Sequence, residues 1–504
     1  MQAAGDWGEG YITDVEYTHG FYPELAPLNL SLACILAGVR PPDFDAPFTY
    51  LELGCGNGLT TALLAATNPH GRFYANDFNP AHVLNARATA QAAGLSNATF
   101  LEASFAELHD AGLPELDVIA LHGVWSWVSA ENRHHIVETI RRRLKPGGLV
   151  YVSYNCLPGW AQVAPMRRLM IEATAGSGKA PAARAEDALA FAERLRDADG
   201  AFFAANPKAG PTLDHLKRED RNYLAHEYLN TEWSLFYHGE VAGALSAAKL
   251  GYAGQAALLD NFDQFTLTAA QRALAAECPG GAAETVKDFA LDRRFRRDVY
   301  TRGAPRADGA AMSDWFGRRR FALVRPRAAC TIQVKTRAGA FNLEARVFEP
   351  TLDALAAGPA TPAELCGAGK LAGVERRHVQ QALGVLCALG HVRPALSPAW
   401  EGEARVSAER FNAAVLLNAE AGRPVAALAS PVLASGVTIP PIDQLFLASL
   451  RRGEDPAAQA AHPHASEGAH GDGGGEKLAE RCRAFTRFGA PLLTRLGIRC
   501  GAGT

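Results

Sequence analysis

The stretch Tyr50-Leu51-Glu52-Leu53-Gly54-Cys55-Gly56-Asn57-Gly58 constrains what this chain can fold into more than any other. An apolar run ends in three glycines at alternate positions, and Leu59 to Ala66 continues at once with an apolar, helix-favouring pattern. Glycine tolerates positive φ and, having no Cβ, lets amide N–H groups come close to a bound molecule. A strand, such a turn and a helix start together place a ligand beyond the carboxyl end of the first strand of a doubly wound sheet, at a helix N-terminus. The turn therefore reads as a nucleotide-type cofactor site. The dinucleotide fingerprint has its third glycine three residues after the second. Here Leu59 takes that position, and Gly58 comes two after Gly56, which argues against NAD or FAD.

Other strand ends supply the remaining landmarks. Arg72 to Asn76 reads as a second strand, and Asp77 at its tip is the acid that grips ribose hydroxyls in such folds, with Phe78 beside it. A third strand, Ala98 to Glu102, leads to Ser104 and Phe105, a small polar residue and a ring suited to an adenine edge and face. A fourth, Leu116 to Leu121, ends in His122-Gly123-Val124-Trp125. The helix Glu131 to Arg143 stops at Leu144-Lys145-Pro146-Gly147-Gly148, and a fifth strand, Leu149 to Ser153, follows.

Glu52-Leu53-Gly54-Cys55-Gly56-Asn57-Gly58, Asp77, Ser104-Phe105 and Lys145-Pro146-Gly147-Gly148, in this order and each at a strand end, resemble the motifs of class I S-adenosylmethionine-dependent methyltransferases. A narrower resemblance, to methyltransferases with a regulatory domain and to the rickettsial protein-lysine methyltransferases, rests on further segments. These are Gly10 to Asp14 with Tyr17 to Tyr22, His122 to Val128, Val152 to Trp160, and Asp298 to Gly303. It implies a Rossmann-like α/β sheet of seven strands and S-adenosylmethionine as cofactor. Gly54, Cys55, Gly56, Asn57, Gly58, Asp77, Phe78, Ser104, Phe105 and His122 are the expected cofactor residues, and Glu52 is expected to steady the turn and meet the cofactor's ammonium.

Methyl transfer asks for alignment and desolvation, and an amine acceptor must also lose its proton. The aromatic residues after the fourth and fifth strands are placed for this. Tyr154 and Asn155 are the leading substrate-side candidates, since a hydroxyl and an amide oxygen can accept hydrogen bonds from an amine. Packing of the lid is the equal alternative for Tyr154, and the favoured reading of Trp127 and Trp160. Trp125 offers a ring for cation–π contact. His226, Glu227 and Tyr228 are expected near the acceptor, with Glu227 as an ammonium partner or His226 as a base. A surface helix explains them equally well.

The chain's 504 residues, 48% of them hydrophobic, are enough for roughly three domains with ample core. Residues 1–160 are expected to form the cofactor core with an N-terminal cap. Residues 161–235 read as a helical insertion over the pocket, with an independent domain from about 205 as the alternative. Residues 236–325 would complete the sheet through strands at Tyr252 to Leu259 and Arg297 to Arg302. Residues 326–450 read as a winged-helix-like α+β domain, started by the Thr361-Pro362-Ala363-Glu364 cap. Residues 451–477 read as a disordered linker and 478–504 as a helical segment.

The net charge of -3 predicts no nucleic-acid partner. Arg376, Arg377 and His378 are read as a solvated face. Pro431, Pro440 and Pro441 break the most apolar stretch, so no membrane insertion is expected, and the N-terminus lacks a signal-peptide pattern, which points to the cytoplasm. Nine cysteines without metal-ligand spacing read as reduced thiols, Cys55 among them as a small loop residue. His462, His464 and His470 are too loosely spaced for a built metal site. Three functions remain open at this point: a protein-lysine methyltransferase, a small-molecule O- or N-methyltransferase whose extra domains close a pocket or make a homodimer, and a non-catalytic cofactor sensor with an interaction domain.

Overall fold

Alternating strands and helices build the core of this computed structural model, which describes residues 20–230, 232–303, 306–367, 369–457 and 474–501. The segment Gly10 to His19 and the histidines His462, His464 and His470 lie outside the described residues. Seven strands form one sheet: β1 (Phe48–Leu53), β2 (Gly71–Asp77), β3 (Ala98–Glu102), β4 (Leu116–Leu121), β5 (Leu144–Asn155), β6 (Leu250–Gln255) and β7 (Phe295–Arg302). Their order is β3-β2-β1-β4-β5-β7-β6. β1 to β5 pair in parallel, and β7 runs antiparallel to both β5 and β6. Strand order reverses between β1 and β4, so the crevice beyond their carboxyl ends is where such a sheet holds a ligand.

Helices α1 (Pro27–Leu36), α2 (Leu59–Thr67), α3 (Pro80–Ala92) and α4 (Ala130–Arg143) belong to this core. β1 and β4 are buried along nearly their whole length, as strands covered on both faces must be. The fifth strand starts at Leu144, earlier than its apolar run implies. Lys145 to Gly148 joins the sheet beside a register shift at Leu116/Val118, and the Lys145 ammonium pairs with Asp117 at 2.8 Å. The sixth strand ends at Gln255 and not at Leu259, because a 3-10 turn over Leu258–Asn261 follows.

Between β5 and β6 lie α5 (Ala164–Ala173), α6 (Pro181–Asp197), α7 (Ala201–Ala205), α8 (Ala209–Leu216), α9 (Arg221–Tyr228) and α10 (His238–Ser246). α5 to α9 pack around a core of their own that includes Met166, Met170, Leu189, Leu213 and Leu224. Backbone bonds tie the returning chain to the end of β5: Phe236 N–H donates to Asn155 O at 3.2 Å, and Leu157 N–H to Phe236 O at 3.0 Å. The helical segment is thus held by its two ends at the sheet's ligand-binding edge.

The segment read as a single domain over 326–450 divides. Helices Ala345–Leu355, Pro362–Gly367 and Arg376–Ala388, with strand Val392–Pro394, join the core beneath α1. The Thr361–Glu364 capping box is present, with Thr361 N–H donating to Glu364 at 2.7 Å and Glu364 N–H to Thr361 Oγ1 at 3.2 Å. Val392–Pro394 pairs with Phe321–Leu323, which precede all three helices, and the 23-residue helix Pro398–Glu420 comes next where a winged helix would carry its hairpin. That long helix, the hairpin Ala427–Ser430/Ser435–Thr438 and helix Pro441–Arg452 pack on α2 and α3 in a second core, together with Cys482, Phe485 and Leu493. The apolar Val425 to Leu450 stretch is therefore a hairpin and a helix. Among the described residues no helix is long and apolar enough to cross a membrane.

Candidate cofactor and acceptor site

Sterics explain the glycine turn. Gly54 has φ +66°, and a Cβ there would stand 2.7 Å from Val124 Cγ2 in the loop after β4. Gly58 opens α2 with φ +69°, and a Cβ would meet Ala86 at 2.6 Å and Phe100 at 2.7 Å. Both positions need a left-handed backbone and a bare Cα, so the turn sits tight against α3, β3 and the β4 loop. Asp77 fastens it from the next strand. Its Oδ2 accepts the Gly56 N–H at 2.9 Å, its Oδ1 accepts the Asn79 N–H at 2.9 Å, and His82 Nδ1 lies 3.2 Å from Oδ1.

A cavity opens over this turn. Glu52, Gly54, Cys55, Gly56, Asn57 and Gly58 line one side. Asp77, Phe78, His82 and Phe105 line the second, and His122, Trp127 and Val128 the third. Gly20, Tyr22 and Thr60 close it from the N-terminal side, where Tyr22 N–H donates to Thr60 Oγ1 at 3.3 Å. The sequence reading misses Thr60 and His82, which sit in the first turns of α2 and α3 where no strand-end signal marks them.

The charge pattern says what fits. Glu52 is buried, accepts a hydrogen bond from the Thr61 hydroxyl, and is pushed up to about 7 by burial, with Asp77 adding to the rise. No Lys or Arg stands among the described lining residues. A phosphate-rich dinucleotide would find two carboxylates and no cation. A ligand with an ammonium, a sulfonium, a ribose diol and an aromatic base finds an acid for its charge, an acid for its diol and rings for its base. His122 agrees: burial, and then Arg297, push its imidazole down to about 3, so it adds no positive charge. The Cys55 thiol is pushed well up by burial and by Glu52 and Asp77, which keeps it protonated and unreactive.

A pH dependence follows. Above about 7 Glu52 is ionised and attracts a cationic ligand; below it the neutral acid does not. The affinity for S-adenosylmethionine is expected to fall by up to about tenfold per pH unit as pH drops below that point. Calorimetry at pH 6 and pH 8 checks this, and Glu52→Gln should flatten the difference. Equal affinities in the wild type would remove Glu52 from contact with the ligand's charge.

A second, larger cleft of about 700 Å³ adjoins the cavity and shares Tyr22, His122, Gly123 and Trp127 with it. Its floor is Asn155 and Phe295, and Trp160 with Arg294 form one side. The opposite wall comes from the helical segment: Lys208, His215, Glu219, Tyr223, Glu227 and Tyr228. Burial pushes Glu227 up to about 7, against the pull of Arg167. The Tyr22 ring stacks on His122 at 3.7 Å, and the pair stands between the two spaces.

Three sequence candidates fall elsewhere. The Tyr154 hydroxyl faces away from the cleft: it is buried and donates to Asp298 Oδ2 at 2.7 Å. Trp125 is buried too, its ring edge-on to Phe236 at 6.4 Å, so it packs the loop. Ser104 gives its N–H and hydroxyl to Glu107, at 2.7 and 2.8 Å, and does not line the cavity. Conversely Trp127 and Trp160, read as packing, line the open cleft. The His226 side chain lies outside the described residues. Arg376, Arg377 and His378 are exposed, with Arg377 paired to Glu375 at 2.9 Å.

Asp298 is the centre of a buried polar cluster beneath the cleft floor. Besides Tyr154 it accepts from Gln255 at 2.7 Å, Arg296 Nε at 3.0 Å and Tyr300 at 3.3 Å, and His238 Nδ1 lies at 3.0 Å. Burial alone would raise its carboxyl, yet Arg296 and then His238 outweigh it and hold it below the usual range.

Residues 51–150 match the methyltransferase-domain family, and residues 220–302 match a family described as a predicted methyltransferase regulatory domain. The second match begins at residue 220, immediately before α9 and ahead of the expected boundary at 236. The chain is 38% identical over 503 residues to an uncharacterized protein of Synechocystis sp., covering 98% of this chain and 99% of that one. It is 28% identical over 253 residues to an uncharacterized protein of Rickettsia prowazekii, covering 49% of this chain and 45% of the other. Among solved structures, PKMT2 from Rickettsia typhi in complex with AdoHcy is similar with a TM-score of 0.64 at 19% identity, covering 87% of this chain and 88% of that chain. A second structure of that protein gives 0.66 at 17% identity, covering 97% and 100%.

Proposed function

This chain belongs to the class I S-adenosylmethionine-dependent methyltransferases that carry a methyltransferase regulatory domain, and from that premise we propose that its methyl acceptor is a lysine amine of a polypeptide. The observation that carries the reading is the Glu227 carboxylate in an aromatic-walled cleft that joins the cofactor cavity. When bound, the cofactor supplies an electrophilic methyl on a good leaving group. The chain's own residues have to deliver a neutral amine, aligned and dry.

A lysine side chain enters as an ammonium. The rings of Trp127 and Tyr228 offer such a cation ~0.5 to 2 kcal/mol each, whereas Trp160 already carries Arg294 over its ring at 5.7 Å. Glu227, pushed up to about 7, takes the proton from Nζ at neutral pH and leaves a lone pair free. Asn155 lines the floor, its backbone N–H fixed on Ser126 Oγ at 2.9 Å, and its amide oxygen orients the amine. The stacked Tyr22–His122 pair marks the passage to the cofactor side. The α5 to α9 unit acts as a lid whose long wall suits a chain segment laid across it. The likeness in layout to rickettsial PKMT2 supports the same reading.

The test uses cofactor with a deuterated methyl group, a bacterial protein extract and, separately, its small-molecule fraction. Label is expected in Nε-methyl-lysine after acid hydrolysis. Label confined to the small-molecule fraction, or to base-labile esters, would overturn the lysine reading in favour of a small-molecule acceptor. Cofactor binding without any transfer would favour a sensor. Glu227→Gln is expected to lower kcat/KM by ~100-fold or more and to remove its rise with pH through about 7, with cofactor affinity unchanged. An unaltered pH profile would relieve Glu227 of its role.

A further inference from the structure

A separate cavity of about 260 Å³ lies where three parts of the chain meet. Pro23, Glu24 and Asn29 come from the start of the described chain, Ala256 to Leu258 and Arg297 from the β6–β7 region, Cys387 and Ala388 from the end of the helix Arg376–Ala388, and Val392 to Pro394 from the strand after it. Its volume equals about nine waters at ~30 Å³ each, room for a metabolite-sized molecule. Three charged side chains line it: Arg297, Arg393 and Glu24. Glu24 is committed to Arg297, Oε1 to Nε at 2.7 Å. Arg393 gives one N–H to Gly436 O at 3.0 Å, and among the described residues no carboxylate pairs with it. Burial holds its guanidinium below its usual range, against the more distant pull of Glu24. Two guanidiniums thus share the single Glu24 carboxylate beside the cavity, an electrostatic deficit, since buried charges are ordinarily paired.

This cavity touches the acceptor cleft through a closed ring of contacts. The Arg297 guanidinium lies over Phe295 at 5.2 Å, Phe295 meets His122 edge-on at 6.1 Å, and His122 stacks on Tyr22 at 3.7 Å. Pro23 then leads from Tyr22 back to Glu24, which holds Arg297. Tyr22, His122 and Phe295 face the cleft, whereas Glu24 and Arg297 face the junction cavity.

We propose that the junction cavity is a second ligand site, for a small anion bearing a carboxylate or phosphate group, held by Arg393 and Arg297. An anion there competes with Glu24 for Arg297, and the ring carries the change to Tyr22 and His122, which border both the cofactor cavity and the cleft. By linkage the cofactor must alter the anion's affinity by the same factor.

The test is calorimetry on the full chain at fixed ionic strength, titrating potassium phosphate in one arm and sodium succinate in the other, with chloride as control. One saturable site is expected for at least one anion. Arg393→Ala should weaken it at least tenfold and Arg393→Lys should restore part of the loss. Because Arg393 also holds Gly436, Arg297→Gln repeats the comparison at a more exposed position. Saturating anion is expected to change the Kd for S-adenosylhomocysteine at least threefold. No saturable binding of either anion, or the same affinity after Arg393→Ala and Arg297→Gln, overturns the site. Binding with an unchanged S-adenosylhomocysteine Kd overturns the coupling. No readout involves a methyl acceptor, so these outcomes stand apart from the lysine reading.

Discussion

Replacing Asp298 with Ala is expected to destabilise the fold by about 3 to 5 kcal/mol, the usual cost of stripping one partner from a buried ion pair. The side chain is fully buried in β7, the strand that joins β5 to β6. Removing it leaves Arg296 without the carboxylate at 3.0 Å on its Nε, and leaves Tyr154, Gln255 and Tyr300 with donors that no longer find it. Arg296 keeps Asp288 at 3.2 Å and Glu284 at 2.6 Å, which places the loss within that range and not beyond it. The urea midpoint checks this. Tyr154→Phe removes one donor to a charged carboxylate, so it should cost ~1.5 to 3 kcal/mol and leave turnover at saturating cofactor near wild type. A large turnover loss with normal stability would return the Tyr154 hydroxyl to the chemistry. A midpoint unmoved by Asp298→Ala would mean the cluster is hydrated and not a structural hub.

The second large effect is on the cofactor. Asp77→Ala is expected to weaken S-adenosylhomocysteine binding by ~100-fold, taking about 1.5 kcal/mol for each of two hydrogen bonds to a charged group. Part of the loss is direct, at the ribose. Part is indirect, because Asp77 holds the glycine turn through Gly56 and opens α3 through Asn79, each at 2.9 Å. Asp77→Asn keeps one acceptor oxygen but sets an NH2 against the other backbone N–H, so it should lose one of the two anchors together with the charge and fall between wild type and Asp77→Ala. Calorimetry gives the Kd, and far-ultraviolet circular dichroism confirms the fold. An unchanged Kd in both variants would take Asp77 out of the site.

Local sequence patterns carried much of this architecture. The Gly54–Gly58 turn, the acid at the end of β2 and the apolar strands are short-range signals, and each appears where its pattern points. Glu52, the turn, Asp77, Phe78, Phe105 and His122 converge on one cavity. Tyr154 and Trp127 show where such signals run out. Both are aromatic residues that follow an apolar run and are indistinguishable by composition, yet Tyr154 lies inside β5 and Trp127 in the loop after β4. One is drawn inward by Asp298, 144 residues away, and the other lines the cleft.

Partners distant in sequence decided the rest. Tyr22, Arg294 and the wall from Lys208 to Tyr223 become site residues, beside the expected Glu227 and Tyr228, only when the helical segment is clamped between β5 and Phe236. The region beyond 326 reads as one unit along the chain, yet its apolar faces are divided between α1 and the α2–α3 surface. The sequence by itself determined the order of strands and helices, the cofactor turn and the acids beside it, because backbone preference and a side-chain period of two or 3.6 act within a few residues. Which ring lines the cleft, which carboxylate is buried and where the acceptor enters were left to the tertiary structure, because burial and ion pairing depend on surfaces that meet only once the sheet has closed.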